Sequence, residues 1–218
     1  MVKVMAISDT LPAEGLFYLK NAKEGRALAL PKGRFSAPMP LFSQGQPMVF
    51  GVKGPQVEGA PSYRPLVQAI LPEGGVEEVA VFLAASGEGA DMRLSALALD
   101  NGLKVFPPRS IRVLNFTGEK LFAQLDTFRG ELPPGPANAM PYPEIKTEPG
   151  RTGRFRVGIG RMDTTGNPQI LFSGWADAWP NARTLLLITP PKSGSDKPEV
   201  KFVVDNLPPP PKPPGPPH

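Results

Sequence analysis

The sequence contains no cysteine, and its one histidine is the last residue, His218. The lack of cysteine excludes disulfides, thiol nucleophiles and cysteine-based metal sites. With histidine confined to the end of the chain, Ser-His-Asp catalysis, Cys-His catalysis and His-based metal sites are excluded as well. We therefore predict a non-enzymatic protein with no catalytic, cofactor-binding or metal-ligating residues and no cofactor.

Long apolar runs are also missing. None approaches the roughly 18 to 20 residues that span a bilayer, and residues 1–10 have no apolar core of the kind that a secretory signal carries. We expect no integral membrane segment. We interpret the chain as a mature exported protein whose signal has been removed, which is periplasmic, associated with the outer membrane or secreted. A cytoplasmic location is the alternative.

Charge of one sign is not concentrated anywhere in the chain. The 24 basic and 20 acidic residues give a net charge of +4, and no run of five or six basic residues is present. Nucleic-acid-binding domains carry such runs or patches. We therefore predict no nucleic-acid partner.

Proline and glycine, by contrast, are abundant, with 30 and 23 residues among 218. Proline removes a backbone donor and glycine costs helix entropy, so this composition opposes long helices. Short apolar or alternating runs between turn residues predict about a dozen strands. They lie at residues 16–20, 26–30, 47–52, 64–71, 76–84, 92–99, 103–106, 110–116, 120–126, 154–162, 169–177, 183–189 and 199–205.

The strands fall into two sets that resemble an internal duplication. Residues 16–21 match 111–115, which aligns Asn21 with Asn115; residues 79–83 match 184–188; and Asp100 aligns with Asp205. We predict an all-β protein with an immunoglobulin-like sandwich fold, internally duplicated, with halves at 11–108 and 109–206. The halves form two sandwiches or share one. Residues 207–218 form a Pro-rich tail, either polyproline II or disordered.

Two tryptophans, Trp175 and Trp179, lie four residues apart at a strand end. They could form a stacking platform for sugar rings. Alternatively, Trp175 closes the sandwich core and Trp179 packs at a turn. Nearby, Arg154, Arg156 and Arg161 could gather anionic groups, although the alternation of Arg154 and Arg156 with apolar residues is also what an ordinary solvent-exposed strand face shows.

Three irregular, Pro-rich segments interrupt the strands at residues 31–46, 54–62 and 132–153. Met39, Met48 and Met140 lie in or beside the first and the last, and flexible thioethers suit adaptable apolar contact. We predict that the proline clusters at residues 31–40 and 133–149, together with these methionines, form an interface with a second copy of the chain or with a pilus or envelope protein.

The repeated strand–Asn–Gly–strand pattern, seen at residues 112–121 as RVLNFTGEKL, and the Pro-rich end resemble exported immunoglobulin-like proteins of pilus-associated gene clusters in mucus-dwelling bacteria. The resemblance implies a β-sandwich without enzymatic activity that acts in type IV pilus-related assembly or in host or envelope surface contact. It transfers no site residues. The alternatives are a carbohydrate-binding module that uses Trp175 and Trp179, with a glycan as partner, and a hydrolase that relies on carboxylates alone.

Overall fold

The computed structural model describes residues 1–8, 11, 15–42, 45–57, 59–74, 76–86, 93–144, 152–192 and 194–207. Every regular element among these residues is a β-strand, and the strands form several sheets. The predicted all-β sandwich class is therefore confirmed. The chain divides into two compact units, Met1–Val105 and Phe106–His218. The predicted proline tail lies outside the described residues from position 208 onward.

The first unit contains seven strands in two sheets. The strands are β1 (Val2–Ala6), β2 (Leu16–Leu19), β3 (Gly25–Ala27), β4 (Met48–Lys53), β5 (Tyr63–Ala69), β6 (Val79–Ser86) and β7 (Arg93–Asp100). One sheet has the order β1-β6-β7, and the other has the order β3-β2-β4-β5. β1 runs parallel to β6, and the other pairs are antiparallel.

The second unit contains nine strands in two sheets. They are β8 (Ser110–Asn115), β9 (Leu121–Leu125), β10 (Phe128–Leu132), β11 (Gly135–Pro136), β12 (Met140–Pro141), β13 (Gly153–Met162), β14 (Pro168–Ala178), β15 (Ala182–Thr189) and β16 (Glu199–Asn206). One sheet has the order β10-β9-β13-β14. The other has the order β11-β8-β15-β16, with β12 also paired to β8.

The two units repeat one strand topology. In each, the first strand pairs in parallel with the strand that follows two hairpins, and the last strand flanks that partner. Val2 pairs with Val79 in the first unit, as Ile111 pairs with Thr184 in the second. The predicted match of residues 79–83 to 184–188 is therefore confirmed in register.

The other two predicted matches need correction. Asn21 follows β2, whereas Asn115 ends β8, the counterpart of β1. That match is wrong because an Asn-containing turn recurs at many strand junctions and does not define a place in the topology. Asp100 pairs with Val79, whose counterpart in the second unit is Thr184. Thr184 pairs with Val204, whereas Asp205 pairs with the preceding residue, Arg183. The third match is thus one residue out of register.

A β-bulge recurs at the same place in both units. The ladder between β4 and β5 shifts at Phe50 and Gly51, and that between β13 and β14 shifts at Ile159 and Gly160. A Cβ atom on Gly160 would stand 2.8 Å from the carbonyl oxygen of Gln169, and one on Gly51 would clash with the corresponding carbonyl of its own partner strand. Glycine is required at both bulges because the backbones approach so closely.

Each unit has its own apolar core. In the second unit the alternation in β13 buries one side of the strand and exposes Arg154 and Arg156 on the other, as the period of two predicts. The buried residues of that core include Ile111, Val113, Leu121, Leu125, Phe155, Val157, Ile159, Leu186 and Ile188. The first core includes Val2, Val4, Leu16, Tyr18, Phe50, Val79, Val81 and Leu83.

Four strands were not predicted, and one predicted strand is wrong. β1 was missed because it pairs with the distant β6 and no hairpin turn marks it in the sequence. β10 was missed because Arg129 and Glu131 leave it with little apolar character. β11 and β12 lie in the 132–153 segment expected to be irregular. Residues 103–106 form a turn, in which the Val105 N–H donates to the Gly102 carbonyl.

A buried charged cluster lies beside this turn. Arg183 is completely buried and donates to the Asp205 carboxylate from Nε at 2.9 Å, and to the Phe106 carbonyl at 2.8 Å. The guanidinium groups of Arg183 and Arg112 each lie 4.9 Å from the centre of the Phe106 ring. Asp205 therefore balances a charge that has no contact with water.

We predict that Asp205→Asn lowers the free energy of unfolding by about 3–5 kcal/mol, because it leaves the Arg183 charge buried without its counter-charge. Urea unfolding followed by circular dichroism measures the change. Asp177→Asn is the matched control, since it breaks the exposed Arg154–Asp177 pair at 3.1 Å and should cost at most about 1 kcal/mol. Equal losses in the two variants would contradict the prediction.

Candidate binding face of the second unit

The outward side of the β10-β9-β13-β14 sheet carries a shallow trough of about 720 Å³. Its floor is formed by Gly158 and Gly160 of β13. Gly158 lies between Ser173 on β14 and Gln124 on β9, and Gly160 lies in the next outward row. A Cβ atom on Gly158 would meet only the Cβ atom of Gln124, at 3.7 Å. The two glycines therefore leave space above the sheet and make it accessible to a ligand.

Apolar side chains border one end of the trough. Phe122 on β9 and Ile170 on β14 flank Gly160, and Met162 follows at the end of β13. Ile170 is 72% exposed and Met162 is 52% exposed. Large apolar groups clustered on one exposed face are typical of a contact surface.

Both tryptophans lie outside the lining of the trough. Trp175 pairs with Arg156 across the β13–β14 ladder and is 58% exposed, while Trp179, just beyond β14, is 41% exposed. The interpretation that Trp175 closes the core is therefore wrong. The neighbouring Ala176 occupies the inward position instead and is buried.

The charges on this face are only partly balanced. Glu131 pairs with Lys120 at 3.2 Å, and Asp177 pairs with Arg154 at 3.1 Å. Arg129 and Arg156 line the trough, and neither forms an ion pair with another residue in the described part of the chain. The trough is therefore cationic at its centre.

The described residues of the corresponding sheet in the first unit carry larger side chains at the equivalent positions. By register, its Leu19 and Val49 correspond to Gln124 and Gly158. Leu19 is buried, and a Cβ atom added to Gly25 would meet both Leu19 and the Tyr63 ring. Larger side chains thus fill the space that glycine leaves open in the second unit.

The predicted interface methionines lie mostly inside the fold. Met39 and Met48 are buried in the first core, and Met140 is partly buried against the second. Met39 pairs with Val2, and Met140 pairs with Ile111 at the equivalent place in its own unit. A partner could reach Met39 or Met48 only by opening the core. The prediction that these two methionines form an interface is therefore wrong.

A second cavity lies in the first unit, with a volume of about 960 Å³. Its lining includes Pro40 from the predicted 31–46 loop, Pro47 just before β4, and Ile70 and Pro72 beyond β5. Ile70 is 80% exposed. Part of the predicted Pro-rich interface therefore does border an accessible apolar cavity, without the methionines.

Sequence reasoning singled out the tryptophans but missed the trough beside them. Residues 173, 175 and 177 are alternate positions of β14 and so lie on one face of the strand, and two of them are the polar Ser173 and Asp177. That alternation places Trp175 on the outward face. Gln124 and Arg129 gave no comparable signal, because their position beside Gly158 depends on the pairing of separate strands.

The chain matches no protein-family model, and no curated protein is significantly similar to it. Within the described ranges, no group of three or more His, Asp or Glu side chains is arranged to hold a metal ion. The same residues include no helix long and apolar enough to cross a bilayer.

The turn next to the trough contains an acid with a perturbed pKa. Asp163 accepts hydrogen bonds from the Thr165 hydroxyl at 2.7 Å and from the backbone N–H groups of Thr165 and Asn167, each at 2.8 Å. These bonds favour the carboxylate and lower the pKa of Asp163, with the Thr165 hydroxyl as the largest cause. They fix the hairpin that joins β13 to β14.

We predict that Thr165→Ala raises the pKa of Asp163 toward its ordinary value, as measured by NMR titration of the side-chain carboxyl group. A lowered folded-state pKa stabilises the turn above the unfolded-state pKa, and this stabilisation is lost as the pH falls through the folded-state value. In the parent protein the hairpin should therefore loosen only below about pH 4. An unchanged Asp163 pKa in the variant would contradict the assignment.

Proposed function

We propose that this protein is a non-enzymatic carbohydrate-binding protein whose second unit holds a glycan chain in the trough. The observation that carries the proposal is the exposed Trp175 ring, which lies on the same outward face as the glycine floor and pairs with Arg156 of the trough lining. An indole ring offers a large, rigid apolar face for a sugar ring. The glycine floor lets the next sugar of the chain approach the sheet closely.

The polar side chains around the trough support the same ligand class. Gln124, Ser173 and Arg156 lie in adjacent outward positions on three neighbouring strands. Amide, hydroxyl and guanidinium groups can hydrogen-bond sugar hydroxyls in fixed directions. Strands also hold side chains more rigidly than loops do, which lowers the ordering cost of binding.

The arrangement of carboxylates supports binding rather than hydrolysis. Glu131 and Asp177 each form an ion pair and lie on the two edge strands of the sheet. Glu131 is level with Gly160 of β13 and Asp177 is level with Arg154. Three strand spacings of about 4.8 Å and six residues along the strand therefore separate their Cα atoms by roughly 24 Å. Glycosidase pairs need about 5 to 10 Å, so the hydrolase alternative lacks its geometry on this face.

We predict that Trp175→Ala weakens glycan binding about tenfold, because it removes the stacking face. Trp175 and Trp179 are the only tryptophans, so quenching of intrinsic fluorescence reports directly on this face. Titrations of the full chain would use dextran, xyloglucan, polygalacturonate and heparin. The variant lacks one of the two fluorescent tryptophans, so its affinity would be measured by isothermal calorimetry.

Gly158→Val is a second variant for the same test. It introduces the residue that the first unit has at the corresponding position, and valine is favourable in strands. It should fill the trough and abolish binding while the unfolding midpoint stays close to that of the parent. If none of the four polysaccharides binds the parent protein, the proposed function is wrong.

A second candidate function is surface contact with a protein partner in a pilus or envelope assembly outside the cytoplasm, with an immunoglobulin-like sandwich as the scaffold. The observation that favours it is the apolar cavity of the first unit, where Ile70 is exposed beside Pro40, Pro47 and Pro72. Proline-rich rims and exposed apolar groups are typical of contact surfaces.

For this second candidate, we predict that the parent chain forms a homo-oligomer that Ile70→Asp dissociates, because the charge would be buried in the contact. Light scattering after size exclusion measures the mass. Ile170→Asp, on the second unit, is the matched control and should leave the mass unchanged. A monomeric parent that also captures no pilus or envelope protein would rule out the second candidate.

A further inference from the structure

We infer that the trough selects glycans that carry anionic groups, with Arg129 and Arg156 as the residues that recognise the charge. This inference rests on the proposed function and adds the chemical class of the ligand. The two arginines lie on β10 and β13, and both line the trough. Both are exposed, so a ligand can reach them.

Some of the arginines on this face already form ion pairs with acidic residues, and others do not. Along β13, Arg154 pairs with Asp177, and Arg161 pairs with Glu119 at 3.3 Å. Arg156, between them in the strand, forms no ion pair with a described residue, and the same holds for Arg129. Of the three arginines that line the trough, Arg161 is paired with an acid, and Arg129 and Arg156 are the two whose charge is available to a ligand.

The second step is the absence of a competing charge within the trough. Glu131, which also lines it, is held by Lys120. The outward positions between the two arginines are Gln124 and Gly158, both uncharged. An anion placed above Gln124 therefore meets guanidinium groups from two sides without a neighbouring unpaired carboxylate.

The third step is the spacing. Arg129 pairs with Gln124, Gln124 pairs with Gly158, and Arg156 lies two residues before Gly158. Two strand spacings and two residues along the strand put the two Cα atoms about 12 Å apart. Because Arg156 also pairs with Trp175, a sugar stacked on the indole has its ring substituents beside a guanidinium group. Guanidinium groups bind carboxylate and related oxyanions through paired N–H donors.

The first unit again provides the contrast. By register, Gly25 corresponds to Arg129, and Pro47 corresponds to Arg156. The shared strand framework therefore does not require a cation at either place. The charges occur only in the unit that also has the open trough, as expected if they serve a ligand rather than the fold.

The test uses a matched ligand pair and the full chain. Polygalacturonate and its full methyl ester share a backbone and differ in whether the carboxylate is free. We expect polygalacturonate to bind at least about tenfold more tightly, by calorimetry at 50 mM salt, and this preference to shrink at 500 mM salt because exposed charges are screened. Heparin oligosaccharides form a third arm, which distinguishes a sulfated from a carboxylated ligand.

The protein side of the test is the double variant Arg129→Gln, Arg156→Gln. It should bring the affinity for polygalacturonate down to that for the methyl ester and leave the affinity for the ester within about twofold. Arg64→Gln, an exposed arginine of the first unit, is the charge-matched control and should have no effect. Single Arg→Gln variants replace the double variant if its circular dichroism or unfolding midpoint differs from that of the parent.

The outcomes separate this inference from the proposed function. Equal affinities for the acid and its ester would overturn the anionic selectivity and leave carbohydrate binding intact. A preference for the acid that survives both arginine substitutions would overturn the assignment to Arg129 and Arg156. No binding by any polysaccharide, neutral or acidic, would overturn the proposed function together with the inference.

Discussion

In each unit, a parallel ladder joins the first strand to the strand that follows the two hairpins, and this pairing brings the two ends of the unit together. β1 with β6, and β8 with β15, join positions that lie more than 70 residues apart in the chain. The intervening hairpins form the second sheet, and the apolar core fills the space between the sheets. β15 is buried along its whole length, as is usual for strands that pair in parallel.

The repeated framework leaves the outward face of the hairpin sheet free to differ between the units. Both units keep the bulge at Gly51 or Gly160, where the backbones approach too closely for a side chain. Beside that shared feature, the first unit has Val49 and the second has Gly158. Leu19 of the first unit also stands where the second has Gln124. The trough of the proposed binding face therefore depends on smaller or polar residues at these outward positions.

Most strands could be predicted from the sequence because alternation and turn residues act over a few positions. β13 and β15 lie within one residue of their predicted limits. β11 and β12 were missed because two residues do not establish a period. At the binding face, the tryptophans and Arg156 were recognisable, but Arg129 was not, since the β9–β10 hairpin joins β13 only through long-range pairing.

The sequence by itself determined the all-β class, most strand positions and the lack of cysteine-based and internal histidine chemistry, since these follow from composition and local periodicity. Only the tertiary structure decided which residues of the irregular segments are buried. Met39 lies in the core because its loop pairs with β1. Burial depends on what packs against a residue, and that neighbour is distant in the sequence.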